Sequence, residues 1–349
     1  MAAPPVPSPL PPPGGYRELR DGVAWADLGP RTSVVVAGDD AVRFVDGLCT
    51  AALARLAPRT SSEAFFLDAR GQVLLWGTVF RGADGVWIDA DAPPPAEGAD
   101  GWSLAAHLDR YHIRERLHLT DRSGDLAWVL VAGPEAEAWL SRAGVVPPPG
   151  HDVERMEAFA AGDFPGRCAG VPAAVLRGTW GGAGSFLVVV PAADRARLVE
   201  RLRDDGVAEA SPAALEALRL EEGRPAPADI PPRCLPQELG RDARAIALDK
   251  GCYLGQETVA RLDALGHVNR RLVGVLGSAG DAPPPGTPVE AAGESEPVGI
   301  VTSSAPSPRH GGWIGLALVR VAALRPGAAW RVAGEEARAL PWPATGEAT

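Results

Sequence analysis

One stretch of the sequence decides the fold assignment: Lys250-Gly251-Cys252-Tyr253-Leu254-Gly255-Gln256-Glu257-Thr258-Val259-Ala260-Arg261-Leu262. Its two glycines allow tight or left-handed backbone, whereas the residues after Gln256 include neither Gly nor Pro and are compatible with a helix. The pattern therefore predicts that Cys252 lies at or just before a helix N-terminus.

The predicted surroundings of Cys252 favour a reactive thiol. Unpaired backbone N–H groups, the partial positive charge of a helix N-terminus and the nearby Lys250 would all favour the thiolate. Lys250 and Cys252 are therefore the candidate catalytic residues, and Gln256 and Glu257 would orient the loop or cap the helix. The alternative is that Cys252 is a small buried hydrophobic residue, as free cysteines often are.

Several motifs resemble one family. The segment K-G-C-Y-x-G-Q-E at 250–257, with Gly251, Tyr253 and Gly255 as its other fixed positions, resembles the signature of the YgfZ family of folate-binding proteins. These are relatives of the glycine-cleavage aminomethyltransferase (GcvT). The segments at 218–225 (LRLEEGRP), 235–238 (LPQE) and 266–272 (GHVNRRL) are similar to further motifs of that family, in the same order and spacing. Two N-terminal segments, 38–45 (GDDAVRFV) and 108–114 (LDRYHIR), extend the resemblance.

The distribution of apolar residues predicts an α+β fold. Strand patterns mix with helices and hairpins instead of alternating strictly, as in the strand 34–36, the following helix that carries Val42 through Leu56 with Cys49 in the core, and the hairpin turn at 68–71. Beyond Arg271, short apolar runs between Pro/Gly turns indicate a small all-β barrel or sandwich.

The resemblance implies the domain arrangement. A GcvT-like folate-binding domain of two mixed sheet/helix lobes would span 19–266, with a break near 120–150. A C-terminal β-barrel would span 267–345, and the domains would surround a central cavity. Residues 1–18 are Pro-rich and are predicted to form a disordered tail.

Composition narrows the classes of partner. The formal net charge of -10 argues against broad contact with nucleic acid or an anionic membrane. No apolar run reaches the ~20 residues that span a bilayer, so the cytoplasm is the predicted location.

The four cysteines are far apart in sequence and form no C-x-x-C pair. Neither a disulfide framework nor a structural zinc site is therefore expected, and no metal ligands are assigned.

The resemblance implies tetrahydrofolate, or a derivative of it, as the cofactor. A buried carboxylate can bind the amide-like edge of a reduced pterin, and the resemblance places Glu221 in that role with Arg219 beside it. The alternative is that Glu221 is an exposed helix-end residue that pairs with Arg219 or Arg224.

Three further residues are candidate folate contacts. Arg271 could bind the glutamate tail of folate as a guanidinium fork, although Arg270 is equally well placed by sequence. Tyr111 and Arg114 are predicted to line the cavity. The alternative for this pair is a structural role at the end of an amphipathic helix.

One departure from the aminomethyltransferases bears on the reaction. Those enzymes carry a pair of aspartates on a hairpin where the resemblance places Leu75 and Trp76 in this chain, and these two side chains cannot ionise or transfer a proton. They also lack a thiol at the position of Cys252. We therefore expect the folate site to be kept and the glycine-cleavage transfer to be lost.

Two functions follow as hypotheses. The first is a tetrahydrofolate-binding accessory protein in maturation or repair of iron-sulfur clusters, without stand-alone catalysis and with an indirect effect on tRNA modification. Its partners would be iron-sulfur assembly or client proteins, bound transiently, because one cysteine is far short of the about four ligands of a stable cluster. The alternative is a folate-dependent one-carbon (aminomethyl) transferase or demethylase.

Overall fold

The computed structural model describes residues 12–91, 102–145, 155–178, 180, 184–266, 268–277, 281–325 and 328–340. Much of the predicted tail and part of the predicted break between lobes lie outside these ranges. Residues 16–18, which the prediction placed in the tail, belong instead to a helix that begins at Tyr16. The reason is that the Tyr16 ring is buried and its hydroxyl donates to the carboxylate of Glu221.

Short helices alternate irregularly with strands along the chain. The helices are α1 (Tyr16–Asp21), α2 (Ala41–Asp46), α3 (Leu104–Asp109), α4 (Ala136–Arg142), α5 (Met156–Ala160), α6 (Arg195–Asp204), α7 (Pro212–Glu221), α8 (Asp242–Ala245) and α9 (Gln256–Leu265). The strands are β1 (Ala24–Asp27), β2 (Thr32–Ala37), β3 (Thr60–Leu67), β4 (Val73–Arg81), β5 (Gly85–Ala90), β6 (His118–Asp121), β7 (Leu126–Ala132), β8 (Gly166–Cys168), β9 (Val171–Arg177), β10 (Ser185–Pro191), β11 (Ala208–Glu209), β12 (Arg270–Gly277), β13 (Pro288–Ala291), β14 (Gly299–Ser307), β15 (Gly312–Arg320), β16 (Ala329–Val332) and β17 (Glu335–Leu340).

These strands form two open sheets and one closed barrel. A five-stranded sheet has the order β3-β4-β5-β2-β6, and a six-stranded sheet has the order β11-β1-β7-β10-β9-β8. The barrel has the order β12-β15-β14-β13-β16-β17 and closes through antiparallel pairing of β12 with β17. The predicted α+β class, with mixed lobes and a C-terminal β-barrel, is confirmed.

The chain divides into two compact units. Of the residues that the structure describes, the barrel unit comprises those up to Arg17, Ala210–Asp229 and those from Asn269 on. The two-sheet unit comprises Glu18–Glu209 and Ile230–Val268. Helix α7 therefore belongs with the barrel, and the segment that carries Cys252 belongs with the two sheets. The predicted domain boundaries and central cavity stay predictions.

In the two-sheet unit, a buried aromatic cluster connects the two sheets. Trp87 of β5 packs against Trp128 of β7 and Phe159 of α5, with ring centroids 5.1 and 4.4 Å apart. The guanidinium of Arg31 lies over the Trp128 ring at 5.2 Å and donates to the buried carboxylate of Asp89. Since ring stacking and cation–π contacts add to the burial of apolar area, this cluster holds the sheets in a fixed arrangement.

The helix predicted after β2 is shorter than its apolar pattern suggested. α2 ends at Asp46, and the apolar residues beyond it lie on a turn and a short 3₁₀ segment at Leu53–Arg55. The chain leaves the helix because the Thr50 hydroxyl, which is fully buried, donates to the carbonyl of Ala245 and accepts from the N–H of Phe65. The core position predicted for Cys49 is confirmed.

Candidate functional site

The segment that carries Cys252 ends at a helix N-terminus, as predicted. α9 begins at Gln256, and its N-cap residue Gly255 has φ +80, a left-handed conformation that glycine adopts without steric cost. The side-chain oxygen of Gln256 accepts from the N–H of Tyr253 at 3.3 Å, and the role predicted for Gln256 stays a prediction. Glu257 is exposed in the first helical turn.

The tip of the β3–β4 hairpin packs directly on this helix start. A Cβ atom on Gly255 would lie 2.7 Å from the carbonyl oxygen of Asp68 and 2.9 Å from the Cα of Gly71. The hydroxyl of Thr258 donates to the carbonyl of Arg70 at 2.9 Å. The predicted hairpin turn is confirmed, and the glycines are needed because the two backbones touch at this point.

Cys252 is exposed, whereas Cys49, Cys168 and Cys234 are buried. The alternative that Cys252 is a buried hydrophobic residue is therefore wrong. Close to it in sequence, the exposed carboxylate of Asp249 accepts from the guanidinium of Arg55 at 2.6 Å. Because Cys252 is exposed, its thiol is open to reagents and partner molecules.

The ammonium of Lys250 lies inside the protein. Its Nζ donates to the backbone carbonyls of Asp46, Cys49 and Ala51 at 2.5, 3.1 and 2.6 Å, and it lies 3.3 Å from the Asp46 carboxylate. The ring of Tyr253 lies 5.2 Å from the same Nζ. These contacts explain why a charged side chain is buried at this point; the catalytic role predicted for Lys250 stays a prediction.

Two neighbouring groups titrate outside their ordinary range. Burial, together with the nearby Cys49 thiol, raises the pKa of Tyr253 to about 12. Burial raises the pKa of Cys49 to about 11, against the opposing effect of the Lys250 charge. Both groups therefore stay protonated at neutral pH, and Cys49 is no candidate for a reactive thiolate.

Glu221 is a fully buried carboxylate in the barrel unit. Its oxygens accept from the hydroxyl of Tyr16 at 2.7 and 2.9 Å and from the hydroxyl of Ser307 at 2.6 Å. The alternative of an exposed helix-end glutamate is therefore wrong. A buried carboxylate of the kind that can bind a pterin edge is present, but hydroxyl groups of its own unit already bind it. Its folate contact stays a prediction.

Arg219 belongs to a second buried network of the same unit. Its guanidinium donates to Glu216, to the carbonyl of Arg224 and to Asp229. These contacts use four of the five N–H groups of the guanidinium. The pKa of Arg219 is raised, because its hydrogen bonds and ion pairs with Glu216 and Asp229 outweigh the effect of burial. These contacts assign Arg219 a structural role in the barrel unit and leave its folate contact a prediction.

The remaining folate candidates lie in different units. Tyr111 and Arg114 belong to the two-sheet unit, where Tyr111 is half-buried against the ring of His107 at 5.5 Å and Arg114 is exposed. Arg271 is the second residue of β12 in the barrel unit and is exposed. The exposed guanidiniums of Arg114 and Arg271 have the right chemistry for the carboxylates of a glutamate tail.

The hairpin positions without aspartates are filled by buried apolar side chains. Leu75 and Trp76 are 4% and 5% exposed. The guanidinium of Arg241 lies 5.5 Å from the Trp76 ring and forms a bidentate pair with Glu63 on the adjacent strand. Since an acid does not occupy either position, these two residues offer no proton-transfer group.

One residue at the centre of the barrel unit's networks was not predicted from the sequence. Asp229 is fully buried and accepts from Arg219, from the N–H of Ala226 and from the hydroxyls of Thr302 and Ser303. A lone aspartate in a Pro-rich stretch and a run of small hydroxyl residues in a strand were the available signals. Neither indicates its partner, because the two segments are more than 70 residues apart.

Two family models match the chain. The GCVT N-terminal domain matches residues 15–250, and the glycine cleavage T-protein C-terminal barrel domain matches residues 270–343. The chain therefore belongs to the glycine cleavage T-protein family, which confirms the GcvT-like relationship predicted from the motifs. Members of this family use tetrahydrofolate, in agreement with the predicted cofactor.

Individual relatives carry the name aminomethyltransferase. One from Herpetosiphon aurantiacus is 26% identical over 313 residues, covering 90% of this chain and 83% of the relative. One from Streptomyces avermitilis is 32% identical over 215 residues, covering 58% of this chain and 54% of the relative. The crystal structure of the glycine cleavage system aminomethyltransferase T from Bartonella henselae covers 92% of this chain and 85% of its own, with a TM-score of 0.76 and 20% identity, which shows a shared fold.

The helices are also relevant to membrane contact. Within the part of the chain that the structure describes, no helix has the length and apolar character needed to cross a membrane.

Proposed function

We propose that this chain binds tetrahydrofolate, or a derivative, and acts as a folate-dependent one-carbon transferase or demethylase of the aminomethyltransferase type. The observation that carries this proposal is the match to both family domains, together with an aminomethyltransferase relative that aligns with 90% of the chain. The bound folate would supply the nitrogen atoms that take up a one-carbon unit. The barrel unit would supply binding groups, among them Glu221 and Arg271.

Transfer is tested with the purified protein, tetrahydrofolate and a panel of methylated and aminomethylated amine donors. The proposal predicts formation of 5,10-methylenetetrahydrofolate with at least one donor. Complete inertness across the panel, with folate bound, would contradict transfer and leave binding intact.

The folate contact of Arg271 has a matched control in Arg270, because sequence alone left both open. We expect Arg271→Gln to weaken tetrahydrofolate binding about tenfold, while Arg270→Gln leaves it nearly unchanged. Tetrahydropteroate, which lacks the glutamate tail, should bind the Arg271→Gln variant and the wild type equally. Equal losses with both ligands would show that Arg271 does not contact the tail.

The exposed thiol favours a second candidate function. This is an accessory role in maturation or repair of iron-sulfur clusters, with an indirect effect on tRNA modification, as in the YgfZ family. Cys252 is the exposed cysteine of the four, and the hairpin positions 75 and 76 carry no acid. A thiolate can ligate iron or exchange with another thiol, and a partner protein would supply the remaining cluster ligands. The cytoplasm is the location that we propose for this role.

Complementation tests the second candidate. In a deletion strain under oxidative stress, we expect Cys252→Ser to lose the activity of several iron-sulfur enzymes while the protein still accumulates. Leu248→Ala, an exposed neighbour on the same segment, is the matched control and should complement. Full complementation by Cys252→Ser would rule out a role for the thiol, and it would leave folate-dependent transfer as the remaining proposal.

A further inference from the structure

The three donor N–H groups of the Lys250 ammonium face three backbone carbonyls. Asp46, Cys49 and Ala51 supply these oxygens at 2.5 to 3.1 Å, and the side chain of Lys250 is 2% exposed. An ammonium has three donors and no acceptor, so these contacts satisfy its hydrogen-bonding capacity. Residues 46–51, which present the carbonyls, form what we call the carbonyl turn.

The same turn is bonded to the rest of the segment that carries Cys252. The N–H of Ala247 donates to the carbonyl of Thr50 at 2.9 Å, and the N–H of Leu254 donates to the carbonyl of Gly47 at 3.0 Å. The hydroxyl of Thr50 donates to the carbonyl of Ala245. Residues 245–254, called the Cys252 strap, are thus fixed to the carbonyl turn on both sides of Cys252, and Lys250 fills the space between the two backbone contacts.

This geometry separates the ammonium from the thiol in function. The ammonium is buried and its donors are bound to oxygen, while Cys252 is exposed two residues further on. We infer that Lys250 is a positioning residue, which holds the Cys252 strap on the carbonyl turn so that the thiol is presented at a fixed place on the surface. It acts on Cys252 through the backbone and not through its charge. This inference rests on the second candidate function, in which Cys252 is the working group.

Amide hydrogen exchange gives the first test. Lys250→Met keeps the length and apolar stem of the side chain but removes the charge and the donors. We expect exchange at Ala247 and Leu254 to become at least tenfold faster than in the wild type, while alkylation of Cys252 by iodoacetamide at neutral pH does not slow. If alkylation slows fivefold or more and exchange does not change, the ammonium acts on the thiol by charge and the inference is wrong.

Lys250→Arg separates charge from geometry. A planar guanidinium keeps the positive charge but does not match three carbonyls that converge on one point. We expect exchange at Ala247 and Leu254 to be as fast in this variant as in Lys250→Met. Protection equal to the wild type would mean that any cation serves, which would contradict a positioning role through the carbonyls.

Chemical rescue gives a readout that general loss of structure would not. In Lys250→Gly, added propylammonium should enter the emptied space and restore protection at Ala247 and Leu254, whereas propanol at the same concentration should not. Asp46→Asn is the control that folds even if the Lys250 variants do not, because the carbonyl of Asp46 and a side-chain oxygen remain. It should keep exchange within about twofold of the wild type. No rescue by the amine, or exchange in Asp46→Asn as fast as in Lys250→Met, would overturn the inference.

These measurements use neither folate nor iron-sulfur clusters. Failure of the positioning role would therefore appear in exchange and alkylation, whereas failure of the second candidate function would appear in complementation by Cys252→Ser. The two failures can be told apart.

Discussion

Removal of the Asp229 carboxylate should strongly destabilise the barrel unit. Asp229 is fully buried, and it accepts from Arg219 at 2.9 Å, from the N–H of Ala226 at 2.8 Å and from the hydroxyl of Ser303 at 2.5 Å. Asp229→Ala leaves the guanidinium of Arg219, itself 5% exposed, without its buried partner. Loss of one member of a buried ion pair costs about 3–5 kcal/mol.

The value expected for this variant lies at the lower end of that range. Arg219 keeps its bonds to Glu216 and to the carbonyl of Arg224, which compensate part of the unpaired charge. We therefore expect Asp229→Ala to lower the free energy of unfolding by about 3 kcal/mol. Urea denaturation followed by tryptophan fluorescence measures this change, since buried tryptophans lie in the barrel.

Two comparisons identify the cause of the loss. Glu216→Ala removes the half-exposed partner of Arg219 and should cost no more than about 1 kcal/mol, because solvent screens that pair. The double variant Asp229→Ala/Arg219→Met removes the unpaired charge and should be more stable than Asp229→Ala alone. A loss below about 1 kcal/mol for Asp229→Ala would refute the reasoning. So would a double variant whose loss of stability equals the sum of the losses of Asp229→Ala and Arg219→Met measured singly.

Three further predictions concern the segment around Cys252. Gly255→Ala should lower the free energy of unfolding by about 1–3 kcal/mol, because the new Cβ would lie 2.7 Å from a backbone oxygen at φ +80; Gly251→Ala, whose Cβ would meet nothing within 4 Å, should change it by less than about 0.5 kcal/mol. Burial holds the pKa of Tyr253 at about 12, so between about pH 10 and pH 12 the unfolded chain has lost a proton that the folded chain keeps. The free energy of unfolding should therefore fall as the pH rises through this window. Tyr253→Phe should remove part of that fall, as measured by urea titrations at several pH values. Cys49, with its pKa raised to about 11, should cause a similar fall from about pH 9 upwards. A Cys49→Ala variant whose free energy of unfolding depends on pH in this range as the wild type's does would contradict that assignment.

The sequence predicted the elements whose residues interact locally. The hairpin turn at 68–71 was predictable because the Asp68 side chain accepts from the N–H groups of Arg70 and Gln72, two and four residues further along the chain. Ser211 caps α7 through a contact of the same local kind, since its side chain accepts from the N–H of Ala214. Such contacts need only neighbouring residues, so local composition suffices.

Contacts over long distances were not predictable in the same way. The sequence placed Lys250 beside Cys252, and its charge suggested an effect on the thiol. The carbonyls that bind the ammonium come from residues about 200 positions earlier, and backbone carbonyls leave no trace in side-chain composition. The length of α2 was overestimated for a related reason, because the turn that ends it is stabilised by the distant residue Ala245.

For the candidate site residues, the chemistry of a side chain was easier to predict than its contacts. The buried state of Glu221 agrees with the requirement for a desolvated carboxylate, whereas its bonds to Tyr16 and Ser307 join segments that no sequence pattern connects. For Trp76, the inability to transfer a proton follows from its residue type. The position of the Arg241 guanidinium over its ring does not follow from any sequence pattern.

Equilibrium binding of tetrahydrofolate by the purified full chain tests the central claim most directly. Under anaerobic conditions, isothermal titration calorimetry should show saturable binding of one tetrahydrofolate per chain, with a dissociation constant between about 1 μM and 1 mM, the range of typical Michaelis constants. Binding of one equivalent would support both candidate functions, because each requires a folate site. No saturable binding up to about 1 mM by a correctly folded protein would contradict the account.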